Sequence, residues 1–155
     1  MDDIHNLSSG EFHIFSDVNG HPIDLCRTPP AAREPVIVGN ATLRFTFKAV
    51  GGKNTYEIWA DGRHIRNVGD HIYGSLDAMV PQRWVVIPHG NGTYIIETQD
   101  RRAWSDPGGN PGCEHKVKYS SIETETLVFN VIFQLYLHSV WDPIGPQQTF
   151  RIKRT

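Results

Sequence analysis

Gly10-Glu11-Phe12-His13-Ile14 recurs twice along the chain, as Asn54-Thr55-Tyr56-Glu57-Ile58 and as Gly92-Thr93-Tyr94-Ile95-Ile96. Each copy carries an aromatic residue, one spacer and an isoleucine. Side chains of a strand alternate between its faces, so the two apolar residues share one face. Each copy runs into a short polar turn: Asp17-Val18-Asn19-Gly20, then Asp61-Gly62-Arg63, then Gln99-Asp100-Arg101. A second strand follows each turn. Each unit closes on an aromatic strand: Leu43-Arg44-Phe45-Thr46-Phe47, Arg83-Trp84-Val85-Val86-Ile87, and Thr149-Phe150-Arg151-Ile152-Lys153. Three repeats of hairpin, long loop and closing strand imply a threefold all-β barrel of one domain, residues 1–155, with repeats roughly over 10–52, 53–91 and 92–155. Such a barrel is a scaffold, and its function is expected in its loops.

The turn chemistry agrees. Asn19-Gly20 and Asp61-Gly62 are hairpin dipeptides whose residues accept the positive φ of a primed turn. Pro107-Gly108-Gly109-Asn110-Pro111-Gly112 can be neither helix nor strand and is expected as an exposed loop. Ten prolines and fourteen glycines are spread along the chain, which leaves no room for long helices. Gly51-Gly52-Lys53-Asn54 has a superficial likeness to a phosphate loop. It lacks the spacing and the following helix, so it is a turn between repeats.

The third repeat is longer than the others, running from Tyr94 to Phe150 against Phe12 to Phe45 and Tyr56 to Trp84. The surplus holds Leu127-Val128-Phe129-Asn130-Val131-Ile132-Phe133-Gln134-Leu135-Tyr136-Leu137-His138. Its odd positions are all apolar, and β-branched and aromatic residues dominate, so it is expected as one long strand. That strand either belongs to the core or forms an extra edge that pairs with a second subunit. Monomer and homodimer both stay open.

The chain has 155 residues, enough for a single packed core. Its formal charge is −2 and it has no basic run. This argues against non-specific nucleic-acid binding, which needs a Lys/Arg-rich face. No apolar run reaches the length of a membrane helix. The N-terminus, Met1-Asp2-Asp3-Ile4-His5-Asn6, is polar and acidic, unlike a secretory signal, which implies a cytoplasmic protein. In that compartment Cys26 and Cys113 are expected as reduced thiols. The sequons at Asn6, Asn40 and Asn91 are then expected to be unused.

No catalytic constellation emerges, so the chain is expected not to be an enzyme. Eight histidines lie apart, with no His-Glu-x-x-His and no Cys-x-x-Cys, so they are expected as scattered surface residues and no metal or other cofactor is implied. No Gly-x-Ser-x-Gly elbow exists. Asp24, Asp106 and Asp142 are available carboxylates that nothing in the sequence pairs.

With these residues in view, the chain resembles the small β-trefoil proteins of mushrooms, the mycospin and mycocypin type protease inhibitors. The resemblance is carried by Gly10-Glu11-Phe12-His13-Ile14, Asn19-Gly20-His21-Pro22-Ile23, Gln82-Arg83-Trp84-Val85-Val86 and Gln148-Thr149-Phe150-Arg151-Ile152. It spans the whole chain through short motifs. It implies a β-trefoil with pseudo-threefold symmetry, about four strands per repeat, and a protease inhibitor of the fungal defence type whose partner is a protease. The same fold serves R-type, ricin-B-like lectins, whose closing strands carry Gln-x-Trp. Gln82-Arg83-Trp84 matches that pattern fully and Gln148-Thr149-Phe150 in part, but these residues are structural in themselves. In such a lectin an Asp just after the first hairpin binds sugar, and Asp24 stands near that place. His64-Ile65-Arg66 and Ala103-Trp104-Ser105 put no Asp there.

An inhibitor needs a stiff exposed segment that enters a cleft like a substrate, because rigidity lowers the entropy lost on binding. Arg27-Thr28-Pro29-Pro30-Ala31-Ala32-Arg33-Glu34-Pro35 fits, lying between the second and third strands of repeat one. In the resembling family some members use this loop against trypsin-like enzymes. Three prolines restrict it, and Arg27 or Arg33 could reach an acidic specificity pocket. The contact set is therefore Arg27, Thr28, Pro29, Pro30 and Arg33, aimed at a trypsin-like serine protease. Lys53, Asn54, Arg101 and Arg102 are alternative inhibitory positions. The other readings are a glycan-binding lectin working through Asp24 and a cysteine-protease inhibitor of the same fold.

Overall fold

The computed structural model describes residues 5–27, 30–113, 115–120, 126–131 and 134–155. Fourteen strands and one 3₁₀ turn, Pro146–Gln148, occur among them. Repeat one supplies β1 (Gly10–Ser16), β2 (Ile23–Leu25), β3 (Arg33–Val38) and β4 (Phe45–Ala49). Repeat two supplies β5 (Thr55–Ala60), β6 (Arg63–Val68), β7 (His71–Ser75) and β8 (Trp84–Gly90). Repeat three supplies β9 (Thr93–Glu97), β10 (Arg102–Ser105), β11 (His115–Ser120), β12 (Thr126–Val131), β13 (Tyr136–Ser139) and β14 (Phe150–Arg154).

Six strands close on themselves. β1 pairs with β4, β4 with β5, β5 with β8, β8 with β9, β9 with β14, and β14 returns to β1, all antiparallel. The other first-order hairpins, β2–β3, β6–β7 and β10–β13, stand outside this ring. They also meet one another. Leu135 N–H donates to Val36 O at 2.9 Å, and Ile72 N–H donates to Leu135 O at 3.0 Å. Val36, Ile72 and Leu135 are fully buried there, so one residue from each repeat plugs the barrel. A closed ring leaves no unpaired barrel edge to attract another chain.

The sequence repeat sets the register. The opening aromatics lie opposite the closing ones: Phe12 faces Phe45, Tyr56 faces Trp84 and Tyr94 faces Phe150. Phe12, Ile14, Phe45, Tyr56, Ile58, Trp84, Ile96 and Phe150 are buried in one cluster, and Tyr94 packs half-buried against it. Trp104 meets Trp84 edge to face with ring centres 5.6 Å apart. Such pairing stabilises by about 0.5–1.5 kcal/mol beyond area burial.

Two turn expectations resolve differently. Asp61 and Gly62 both take positive φ, 52° and 73°, so that hairpin has the expected primed geometry. At Asn19-Gly20 only Gly20 is left-handed, with φ 80°. There Gly20 N–H donates to Ser16 O and Ser16 N–H to His21 O, so the connection is longer and one glycine suffices. Asn91-Gly92, with φ 55° and 75°, is a second left-handed dipeptide that ends β8.

Two expectations are corrected. The stretch 127–138 is not one strand. Its first part lies in β12, which pairs with β11 as a separate two-stranded sheet, and its last part lies in β13, with residues 132 and 133 outside the described set. The surplus of repeat three is thus an inserted hairpin between β10 and β13. Cys26 and Cys113 are not two reduced thiols but a disulfide, with Cα atoms 4.9 Å apart. That separation lies within the range such a bridge spans.

Candidate functional site

The loops joining second to third strands differ between repeats. In repeat two the link is the tight Gly69-Asp70 turn, with φ 58° and 65°. In repeat one it is residues 26–32, and in repeat three it is the whole excursion 106–135. The Cys26–Cys113 bridge ties these two elaborated loops together, and Gly112 N–H donates to Val38 O at 2.8 Å beside it.

The repeat-one loop is fastened at both ends. Cys26 N–H donates to Pro35 O at 2.8 Å. Arg63 Nη2 donates to Ala31 O at 2.9 Å, and Leu76 N–H donates to Ala32 O at 2.8 Å. Thr28 and Pro29 lie outside the described residues, while Pro30 is exposed. The Arg27 side chain is 42 % exposed and sits between two carboxylates, Asp24 at 3.2 Å and Asp61 at 3.6 Å. Entry into an acidic pocket would exchange these partners for the pocket's carboxylate.

The segment is shorter than expected, because β3 begins at Arg33. Arg33 stands opposite Ser75, with its guanidinium carbon 5.7 Å from the centre of the Tyr73 ring. Glu34 is buried and faces Arg63 at 3.4 Å. Pro35 lies opposite Tyr73. Arg33, Glu34 and Pro35 are therefore strand residues, and the only described basic side chain in the loop itself is Arg27.

The alternative positions are scattered. Lys53 is exposed in the turn before β5. Asn54 is buried with φ 52°, and its Oδ1 accepts from Asn6 N–H at 2.7 Å, so it holds the turn instead of meeting a partner. Arg101 is held by Glu97 at 2.8 Å. Arg102 is held by Asp70 and Asp100. Asp24 Oδ1 accepts from the Leu25 amide at 2.8 Å and from Arg27. It does not line the open depression of about 610 Å³ formed by Asp100, Arg101, Trp141 and Asp142 among others. The Thr98 hydroxyl holds the Asp100 carboxyl below its ordinary pKa, and Arg102 adds to this. Asp106 is buried, accepting from Ser16 Oγ at 2.5 Å and Gly108 N–H at 2.7 Å, and is structural.

The glutamines of the Gln-x-Trp pattern are also structural. Gln82 Oε1 accepts from Asn67 N–H at 2.7 Å, and Gln148 bridges Trp141 N–H and Ser139 O. No group of three metal-ligating side chains occurs among the described residues. No helix there is long and apolar enough to cross a membrane.

One segment escapes sequence reasoning altogether, the link from β7 to β8. Leu76, Met79 and Val80 are the most exposed large hydrophobic residues described, at 53 %, 57 % and 89 %. Beneath them Asp77 gathers four donors: Ser75 Oγ at 2.5 Å, Arg66 Nη1 at 2.8 Å, His64 Nε2 at 3.0 Å and Met79 N–H at 3.0 Å. An ionised carboxylate only accepts, so His64 Nε2 carries the proton. The Ser75 hydroxyl, followed by the Met79 amide, His64 and Arg66, holds the Asp77 carboxyl well below the ordinary carboxylate range. His64 is thus no surface histidine. It is buried because it anchors this loop. The available signal was three apolar residues and Pro81 in a stretch without strand alternation.

The chain shares its fold with several solved proteins at low sequence identity. A proteinase inhibitor from Coprinopsis cinerea superposes with a TM-score of 0.70 at 11 % identity, over 97 % of this chain and 100 % of that one. A salivary protein of the Cysteine and Tryptophan-Rich family from Culex quiquefasciatus gives 0.68 at 12 % identity, over 97 % and 96 %. The designed 3-fold symmetric protein ThreeFoil gives 0.66 at 14 % identity, over 94 % and 99 %. No family model matches the sequence, and neither does any curated protein.

Proposed function

We propose that this protein is a reversible protease inhibitor built on a β-trefoil, presenting preorganised loops to the target's cleft. The fold held in common with the Coprinopsis inhibitor supports the scaffold. The ring of six strands with three outer hairpins is the arrangement a β-trefoil requires. The observation that carries the function is the repeat-one loop, fixed at Cys26, Ala31 and Ala32 while Arg27 stays partly exposed. Holding Cys26, Ala31 and Ala32 in place lowers the ordering entropy that binding would cost. Arg27 selects a trypsin-like serine protease, since a guanidinium pairs with a carboxylate at the base of a pocket. Inhibition assays against trypsin, chymotrypsin, papain and legumain test this. Trypsin inhibition at micromolar concentration or better is expected, and silence across all four enzymes removes the inhibitor reading.

A second reading is carbohydrate binding. Trp141 beside Asp142 and Asp100 in the open groove favours it, since sugars bind against an aromatic face with acids to accept their hydroxyls. A glycan array run beside the protease panel separates the two.

A further inference from the structure

We infer that the β7–β8 loop is a second inhibitory loop, which places Met79 in the apolar specificity pocket of a chymotrypsin- or elastase-like serine protease. This rests on the inhibitor reading but not on Arg27.

The first support is exposure. Leu76, Met79 and Val80 form a run of apolar side chains held out in solvent, where a monomeric protein gains nothing from them. The second is bracing. Asp77 ties the start of the loop to His64 and Arg66 of β6, and Gln82 ties its end to Asn67 of the same strand. Leu76 N–H adds the bond to Ala32 O. Both ends are therefore clamped to one rigid strand while the middle projects, so little freedom is left to lose on binding. The third is backbone chemistry. Pro81 restricts Val80 to extended conformations, the form in which a peptide lies in a protease cleft.

The same chemistry selects the residue. Val80 precedes Pro81, so the bond after it would sit badly at a catalytic centre. Leu76 is followed directly by Asp77, whose carboxylate is held by its donors, and Met79 N–H is one of these, at 3.0 Å. Met79 has Val80 after it and an unbranched side chain that adapts to apolar pockets of varied shape. The Met79–Val80 bond then occupies the cleft as a substrate would, without turnover. The acidic Asp77 is consumed by its internal donors, so it presents little repulsive charge to the enzyme.

The test uses the full chain against chymotrypsin, pancreatic elastase and trypsin. Wild-type protein should inhibit at least one of the first two. Met79→Asp should weaken that inhibition by about thirtyfold or more, the size of an interface hot spot. Met79→Leu should keep it. Arg27→Ala should leave it unchanged, and Met79→Lys in the Arg27→Ala background should create trypsin inhibition. Circular dichroism melts of each variant should match wild type, because Met79 is exposed. Inhibition of trypsin alone, lost with Arg27→Ala, overturns this loop assignment and leaves the inhibitor reading standing. Inhibition of neither chymotrypsin nor elastase, or inhibition that Met79→Asp does not alter, overturns it as well. Silence against every enzyme overturns both.

Discussion

Tyr56 lies directly opposite Trp84 where β5 meets β8. The two rings come from the first and last strands of the same repeat, so their pairing closes the unit on itself. The Tyr56 hydroxyl reaches out of the core to donate to Leu7 O at 2.7 Å, and burial raises its pKa. Trp84 lies fully buried with its indole N–H donating to Ile65 O at 2.9 Å. Each ring thus joins the barrel to a neighbouring layer.

Trp84→Ala should destabilise the fold by about 3–5 kcal/mol, through lost burial and the cavity left behind. The unsatisfied Ile65 carbonyl adds to the loss. Urea unfolding checks this. A cost below about 1 kcal/mol would show that the ring is not packed as described.

Arg27→Ala should weaken trypsin inhibition by about thirtyfold, from a hot-spot loss of at least ~2 kcal/mol. Asp61→Ala should act the other way by releasing Arg27 from one of its two carboxylates. Inhibition constants for the pair are the measurement. Equal constants for wild type and Arg27→Ala would dismiss this side chain as the specificity residue.

Asp77 gives a pH signature. Its folded pKa is depressed below the ordinary value of 3.8, so its stabilising contribution is complete above that value and is lost as pH falls below it. Asp77→Asn removes the contribution. The stability difference between wild type and Asp77→Asn should therefore be constant near neutral pH and shrink as pH drops below about 4. Thermal melts from pH 7 to pH 2 measure it, and a difference that grows on acidification would contradict the bonding described.

The Cys26–Cys113 bridge closes a segment of 87 residues. Disulfides stabilise by about 2–4 kcal/mol, mainly by restricting the unfolded chain, and long loops lie at the upper end. Replacing both cysteines by serine should lower the urea midpoint accordingly. Alkylation and mass spectrometry of protein from its native source check that the bond is formed there.

The barrel was legible because its repeat is written in large residues. Phe12, Tyr56 and Tyr94 recur with an isoleucine two places on, and strand pairing sets each against Phe45, Trp84 or Phe150. Loop chemistry was less legible, because it depends on partners distant in sequence. Nothing near Arg27 announces Asp61, and nothing near Asp77 announces Arg66 and His64. The disulfide was hidden for the same reason, since no local pattern joins Cys26 to Cys113. The 127–138 stretch misled because a period of two cannot tell one strand from two in succession.

The seam of the barrel lies between β1 and β14, with Phe12 against Arg154 and Ser16 against Phe150. The ring therefore completes only when segments nearly a whole chain apart have met. Contacts of such long sequence separation are slow to form, because loop closure must be accomplished before the contact repays it. Time, more than energy, is what this seam controls. A chain cut just before Phe150 would carry most of the core residues and still lack the strand that shuts it. A circular permutant joining 155 to 1 and opened at the exposed Gly69-Asp70 turn would make the β1–β14 pairing local and move the distant closure to β5–β8. A closed ring keeps one such seam wherever its chain is opened.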